Sequence, residues 1–511
     1  MTKPSTPPAA PHLPHEDFPP IAAEAIRLIT TYLRDIESRP VLGPVHPGDL
    51  LNDLPRHPPS TGAADTPSRD LWSALYADLE NLILPRMTHW QHPAFFGFFP
   101  ANASYPAILG EILAAGLATP AFLWVTNPAA TELEIRTVDW LAHALDLPPE
   151  WSISSGVGGG VIHTTASEAT LTALVTARHR ARARAMARPG WNPASWHPTL
   201  YTSSQAHSSV IKAAMVAGLA HDPDDRTHIR LIEVNDALAL DPVALTSAIT
   251  ADLEAARTPI FIAATVGTTS SGAIDPLPEI ARIARVHAPD AWVHIDASHH
   301  GVAAICPEFR PILTGLEECD SLCVNPHKWL LTNFDCDVFY VRDRRPLINA
   351  MSITPAYLRN AASDSGQVID YRDWQIPLGR RFRALKLWCV FRHYGVEGLR
   401  CHIRTGVHLA QIIEQRIHDD PDFELVAPRS LNLVCFRLAP RPGESSPSAD
   451  ARNKRLAEAA NASGKLYITP TILPGPPRFV LRIAIGGPAT EERHIHDAWQ
   501  TIRDLAHHAE G

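Results

Sequence analysis

The sequence predicts an α/β protein: a large domain built on a mostly parallel central sheet, with a helical segment before it and a smaller α+β domain after it. Three observations predict this. Between about residues 105 and 385, short β-branched apolar runs alternate with helical stretches: IRLIEV (229–234), PIFIAATV (259–266), AWVHIDA (291–297) and SLCVN (321–325). That is the pattern of βαβ units whose sheet is covered on both faces. Beyond about 385 the order changes, with LKLWCVFRHYGVEGLRCHIR and LAQIIEQRIHD reading as helices and ELVAP, NLVCFRL and RFVLRIAIG as strands. Finally, 511 residues exceed what one small domain holds.

In chain order, the proline-rich residues 1–20 are expected to be poorly ordered. The N-terminal helical segment covers 21–105. In it, IAAEAIRLITTYLRDI presents a helical apolar face at Ile26, Ile29, Leu33 and Ile36, and a polar link around 52–68 leads to a second helix ending near Pro85. The large domain spans 106–385 and the small C-terminal domain 386–511. Hydrophobic residues make up 45% and charged residues 19%, enough apolar content to fold. A net charge of −9 gives no pull toward nucleic acid or an anionic membrane. All seven cysteines lie between Cys306 and Cys435 with no C-x-x-C pair. This argues against a secreted disulfide framework and for a reducing cytoplasm. No apolar run reaches the roughly 18–20 residues that span a bilayer, and the first 20 residues hold no apolar stretch of the kind a signal peptide needs.

The chemistry concentrates where strands should end. Asp296 closes WVHID, which puts its carboxylate at the carboxyl edge of the sheet, where α/β folds bind ligands. Lys328 follows the strand SLCVN beside His327 and Trp329, a setting that desolvates an amine, lowers its pKa and permits Schiff-base chemistry. In GVGGGVIHTTASEATLTALVTAR, Thr165 and Ser167 stand at the start of an alanine-rich helix, where hydroxyls, free N–H groups and the helix dipole suit a phosphate. Phosphate anchor, acidic strand end and desolvated lysine together describe a pyridoxal 5′-phosphate pocket. Singly each has a plainer reading as a cap, an ion pair or a surface charge. The glycines at 156–160 do not complete G-x-G-x-x-G, because residue 161 is Val. HIDASHH (294–300) lacks a recognised ligand spacing, so no metal is expected. RHRARARAMAR (178–188) reads as the solvated end of a helix.

Taken together, these motifs resemble the aromatic-L-amino-acid decarboxylases, the group II pyridoxal phosphate decarboxylases. SLCVNPHKWLLTNFDCD carries the lysine motif. The resemblance extends through THWQHPAFFGFFPANASYPAILGEIL, NPAATELE, GGGVIHTTASEATL, AHSSVIKAA, ATVGTTSSGAID, ICPEFR and DYRDWQIPLGRRFRALKLW, from about residue 20 to 505. It implies a fold type I, aspartate-aminotransferase-like architecture and an intertwined homodimer, dimerised through the N-terminal helical segment, with active sites at the interface.

By the same resemblance, Lys328 is the Schiff-base lysine, His327 its active-site neighbour, Asp296 the partner of the pyridine nitrogen and His207 the imidazole stacked on the ring. Thr165, Ala166, Ser167 and Asn325 fall where relatives bind the phosphate. Thr269 lies close to the cofactor, and Gly379 approaches the phosphate from the neighbouring subunit. Tyr357, in ITPAYLRNAASDSG, matches the tyrosine of a mobile catalytic loop and is the expected proton donor to Cα after carbon dioxide leaves. Relatives with Phe at that tyrosine, or Asn at the stacking histidine, form aldehydes. Keeping Tyr357 and His207 favours simple decarboxylation over an aldehyde synthase, and keeping the whole set argues against a silent scaffold.

Trp90, Phe98, Phe99, Pro100, Ala101 and Phe122 match a wall that buries an aromatic side chain, with His207 and His327 also facing the substrate. Gly379, and Ala101 in place of a threonine of the animal DOPA enzymes, lean toward tryptophan or DOPA-like substrates over tyrosine or phenylalanine, and against histidine. The main departure is DASHHG (296–301), where relatives read D-A-A followed by Tyr or Trp. Ser298 is expected under the cofactor ring and His299 in the substrate pocket.

Overall fold

The computed structural model describes residues 12–353, 355, 358–364 and 366–508. Its centre is a seven-stranded sheet of β1 (Gly159–His163), β2 (Pro198–Ser203), β3 (Ile229–Ile232), β4 (Thr258–Thr265), β5 (Trp292–Asp296), β6 (Ser321–Val324) and β7 (Asp337–Val341), in the order β1-β7-β6-β5-β4-β2-β3. The β3-β2-β4-β5-β6 pairs are parallel. β7 runs antiparallel between β6 and β1. Two apolar layers sandwich the sheet. Val138, Leu141, Ile280, Ile283 and Leu387 belong to one, and Ala169, Ala173, Leu174, Val210 and Leu347 to the other. Burial on both faces is why β4, β5 and β6 read as unbroken apolar runs.

β1, β2 and β7 were not singled out by the sequence. β1 begins inside the glycine run, and those glycines serve close packing. A Cβ on Gly158 would lie 2.3 Å from the carbonyl oxygens of Glu150 and Val341. β2 starts on Pro198 and carries hydroxyls whose partners are buried with it, including Tyr201 donating to Asp252 at 2.7 Å.

The first helix, Phe18–Arg34, starts ahead of Ile21, inside the stretch expected to be poorly ordered, with prolines in its first turn. Ile21 and Leu28 are its buried residues, while Ile26 is exposed. The face expected at Ile26, Ile29, Leu33 and Ile36 is therefore not the one this chain covers; of those four only Ile36 is fully buried. The basic run 178–188 is also not simply solvated. Arg180 pairs with Asp320 at 2.9 Å and lies 4.6 Å over the Trp292 ring, clamping the helix Ala166–Met186 to the start of β5.

Past residue 383 the segment Ala384–His418 is helical on both sides of a kink at Gly395, which adopts φ 61°, so the break falls inside the first of the two expected helices rather than between them. It leads to an antiparallel sheet of β8 (Phe423–Leu425), β9 (Leu433–Leu438), β10 (Thr469–Leu473) and β11 (Arg478–Ala484), ordered β10-β11-β9-β8. Edge strand β10 alternates partly buried and exposed residues around a proline, which hid it from the sequence reading. Among the described residues no helix is long and apolar enough to cross a membrane.

Candidate active site

Parallel β5 and β6 end side by side, which brings their following residues together. Asp296, the last residue of β5, is buried and accepts a hydrogen bond from Ser298 N–H at 3.1 Å on Oδ1. After β6, Pro326 opens a one-turn helix, Pro326–Trp329, that carries His327 and Lys328. Lys328 Nζ donates to Ser298 Oγ at 2.8 Å and lies 5.4 Å from the centre of the Phe99 ring. Burial lowers the pKa of this amine, while Asp296, Cys323 and Asp337 oppose the shift. His327 Nδ1 accepts from Cys336 N–H at 2.9 Å, and burial pushes this imidazole down to about 3, so it is neutral at working pH. His207 follows β2; its Nδ1 accepts from Ser209 N–H at 3.2 Å, and burial lowers its pKa.

Lys328, His327 and His207 open into a cavity of about 530 Å³ that Trp90, Phe98, Phe99, Pro100, Ala101 and Thr269 also line, all of them sequence candidates. Trp90 and Phe98 stack 5.5 Å apart at 13°. The sequence reading missed Ser270, Phe334, Thr469, Thr471 and Arg482, which complete the lining together with Pro470. Arg482 had a legible signal, a cation inside the apolar strand RFVLRIAIG. It is buried, its Nε donates to Ser270 C=O at 3.1 Å, and its guanidinium lies 5.3 Å from the Phe99 ring centre.

Other candidates lie elsewhere. His299 is not in the cavity wall but behind it, stacked on Phe99 at 3.8 Å and on Trp329 at 5.2 Å, with Nε2 3 Å or less from Asn432 Oδ1 (2.9 Å). Asn432 Nδ2 donates to Ile485 C=O, so its oxygen faces the imidazole, which donates. Phe122 and the exposed Gly379 are outside the cavity too, on neighbouring segments joined by Ala121 N–H donating to Arg380 C=O at 3.3 Å. Tyr357 lies outside the described residues. The imidazoles of HIDASHH are engaged within the protein: His294 Nδ1 meets Ser321 Oγ at 2.8 Å and His300 Nε2 meets Ser430 Oγ at 3.1 Å.

The residues present fit pyridoxal phosphate. Thr165 is the N-cap of the 21-residue helix Ala166–Met186, yet its side chain makes no capping bond, which leaves its hydroxyl and the N–H groups of Ala166 and Ser167 free for an anion, Glu168 N–H being taken by Thr165 C=O. Asn325 Oδ1 and Ser209 Oγ are buried without a protein partner. A desolvated amine and a buried carboxylate stand at adjacent strand ends, which suits an aldehyde and a pyridine nitrogen on one ring. Sheet order and site together define a fold type I pyridoxal phosphate enzyme.

Comparison with known proteins narrows the class. The pyridoxal-dependent decarboxylase conserved domain matches residues 56–439. A tryptophan decarboxylase 2 of Oryza sativa subsp. japonica is 43% identical over 500 residues, covering 95% of both chains. A phenylacetaldehyde synthase of Arabidopsis thaliana is 44% identical, covering 94% of both. A crystal structure of Oryza sativa TDC with PLP and tryptamine superposes with a TM-score of 0.91 at 41% identity, over 98% of this chain and 99% of that one. The chain belongs to the pyridoxal-dependent decarboxylase family. It is an enzyme, a carboxy-lyase working with pyridoxal 5′-phosphate.

Proposed function

We propose that the enzyme decarboxylates an aromatic L-amino acid, tryptophan or a DOPA-like one in preference to tyrosine, to the amine and carbon dioxide. The observation that carries this reading is the opening of Lys328 Nζ into a cavity walled by Trp90, Phe98, Phe99 and Phe334. Apolar burial there holds an aromatic side chain, and the names of the tryptophan decarboxylase relatives agree with it.

When bound, the cofactor supplies an electron sink for the pair left by carbon dioxide. Lys328 would bond its aldehyde, Asp296 would hold the pyridine proton and His207 would cover the ring. Thr165, Ala166, Ser167 and Asn325 would hold the phosphate end, with Thr269 close to the cofactor. Neutral His327 keeps positive charge away from the attacking amine. Tyr357 returns a proton to Cα.

A homodimer completes this site. The helix Tyr105–Leu117 exposes Tyr105, Leu109, Ile112, Leu113 and Leu117, a stripe of a kind that marks a protein interface. Phe122 and Gly379 would then reach the partner's cavity, which accounts for their place outside their own. Seven unpaired cysteines support a cytoplasmic location.

Aldehyde formation is the second reading, supported by the 44% identical phenylacetaldehyde synthase. One experiment tests both: carbon dioxide, amine and oxygen uptake measured with Trp, 5-hydroxy-Trp, DOPA, Tyr, Phe and His. Equimolar amine and carbon dioxide without oxygen uptake is the expected result. Oxygen uptake with peroxide and ammonia selects the aldehyde synthase, and no turnover of any aromatic substrate overturns the proposal.

A further inference from the structure

We propose that Ser298 is a positioning residue for Lys328: its hydroxyl takes up and holds the ε-amine whenever that amine is not bonded to the cofactor. The inference rests on the reading of Lys328 as the cofactor lysine and goes beyond it, to where the amine waits during turnover.

The geometry is a closed ring. Lys328 N–H donates to Asn325 C=O at 3.0 Å, Asn325 N–H donates to Ser298 C=O at 3.0 Å, and Lys328 Nζ donates to Ser298 Oγ at 2.8 Å. Ser298 N–H is fixed in turn on Asp296 Oδ1 at 3.1 Å. The hydroxyl is thus placed by backbone bonds on both sides, and its position does not depend on a flexible chain. Every component comes from the ends of β5 and β6, so the strand register that delivers the acid and the amine delivers their connector too.

The ε-amine needs such a partner. In the exchange with substrate, the C=N bond to Lys328 is replaced by one to the substrate nitrogen. Both hydrogens of the neutral substrate amine end on Nζ, with no change in oxidation state. The released amine then sits among apolar rings, where an unpaired polar group is costly. Phe99 offers it only a ring face at 5.4 Å, whereas Ser298 Oγ offers a lone pair at hydrogen-bond distance. Around Lys328 stand Asp296 on β5, Cys323 on β6 and Asp337 on β7, which favour its charged form, against burial. The imidazoles of His207, His299, His300 and His327 face it as well, and burial holds all four below the ordinary histidine range. Of the groups around the amine, Ser298 is the one whose side chain bonds it directly.

The test uses the full-length enzyme stripped of cofactor with hydroxylamine, then given pyridoxal phosphate while the visible band returns, over a series of pH values from neutral to alkaline. Neutral amine attacks the aldehyde, so the rate rises through the pKa of Lys328 to a plateau. An acceptor for N–H stabilises the ammonium form. Ser298→Ala should therefore move the midpoint down by about one pH unit, a tenfold change in proton affinity, and should lower the plateau. Ser298→Thr, which keeps the hydroxyl, should retain both. A purely structural role would lower occupancy without moving the midpoint, so an unmoved midpoint in Ser298→Ala overturns the inference. If that variant does not fold, Ser298→Cys, similar in shape but a poor acceptor, decides it in the same way. Retention of the band in Lys328→Ala would instead overturn the cofactor reading itself, so the two failures are distinguishable.

Discussion

Burial lowers the proton affinity of Lys328, the proposed Schiff-base lysine, while the Asp296 carboxylate at the adjacent strand end opposes the shift. Two predictions belong to single residues. Lys328→Ala should abolish the visible cofactor absorbance of the purified enzyme, and an unchanged spectrum would rule this lysine out. Tyr357→Phe should lose amine and gain aldehyde, read by product chromatography; normal amine output would remove Tyr357 as proton donor. Most of the residues brought together here were legible, since Lys328, Asp296 and His207 sit in compact local motifs. What was not legible came from contacts between distant segments. No spacing rule places Thr469, Thr471 and Arg482 opposite Lys328, and none reveals that His299 stacks behind Phe99.

At the scale of elements, the strongest constraint near the site is buried and ionic. Glu134, in the helix Pro128–Ala144, accepts from Ile162 N–H of β1 at 2.9 Å and from Arg380 Nη1 at 3.0 Å. Arg380 is buried, its guanidinium 4.6 Å over the Tyr371 ring, and it fixes the segment bearing Gly379. Removing one partner strands the other's charge, so Glu134→Ala should cost about 3–5 kcal/mol. Urea unfolding of the holoenzyme measures it, and a loss under about 1 kcal/mol would mean the pair behaves like a surface one. Elements with a single dominant pattern were read well: β3 to β6, β9 and β11 came from short runs dominated by apolar residues. β1, β2 and β7 mix glycine, proline, hydroxyl and acidic residues whose compatibility with a sheet depends on neighbours elsewhere in the chain. Gly395 took the break because it adopts a left-handed conformation within a sequence otherwise suited to helix.

For the whole molecule, the apolar stripe on Tyr105–Leu117 makes assembly testable. Leu113→Glu should halve the mass seen by sedimentation; an unchanged mass would place the interface elsewhere. Acid stability follows from buried imidazoles. Burial pushes His92, His294, His300 and His402 down to about 4 and His327 to about 3, against about 6.5 in the unfolded chain. Their folded pKa values are depressed, so unfolding takes up protons below about pH 6.5 and stability falls from there toward pH 4. Asp275, raised to about 6, and Asp337 and Asp373, also raised by burial, oppose this, but the five depressed imidazoles outnumber them. Melting temperature should hold between pH 7 and 8 and drop steadily below 6.5 by scanning calorimetry. A flat profile down to pH 5 would contradict the burial of these rings.

The seam between the two sheets separates two tasks. The groups proposed to meet the cofactor stand at the ends of β5 and β6 and on the loops after β2 and β4, whereas Thr469 and Thr471 reach the same cavity from β10, the edge of the other sheet. Drift along that edge strand can therefore retune which ring the enzyme accepts while the reactive half stays intact. An architecture of this kind lets one chemistry diversify across substrates through a handful of exchanges on a surface that carries none of the catalytic burden.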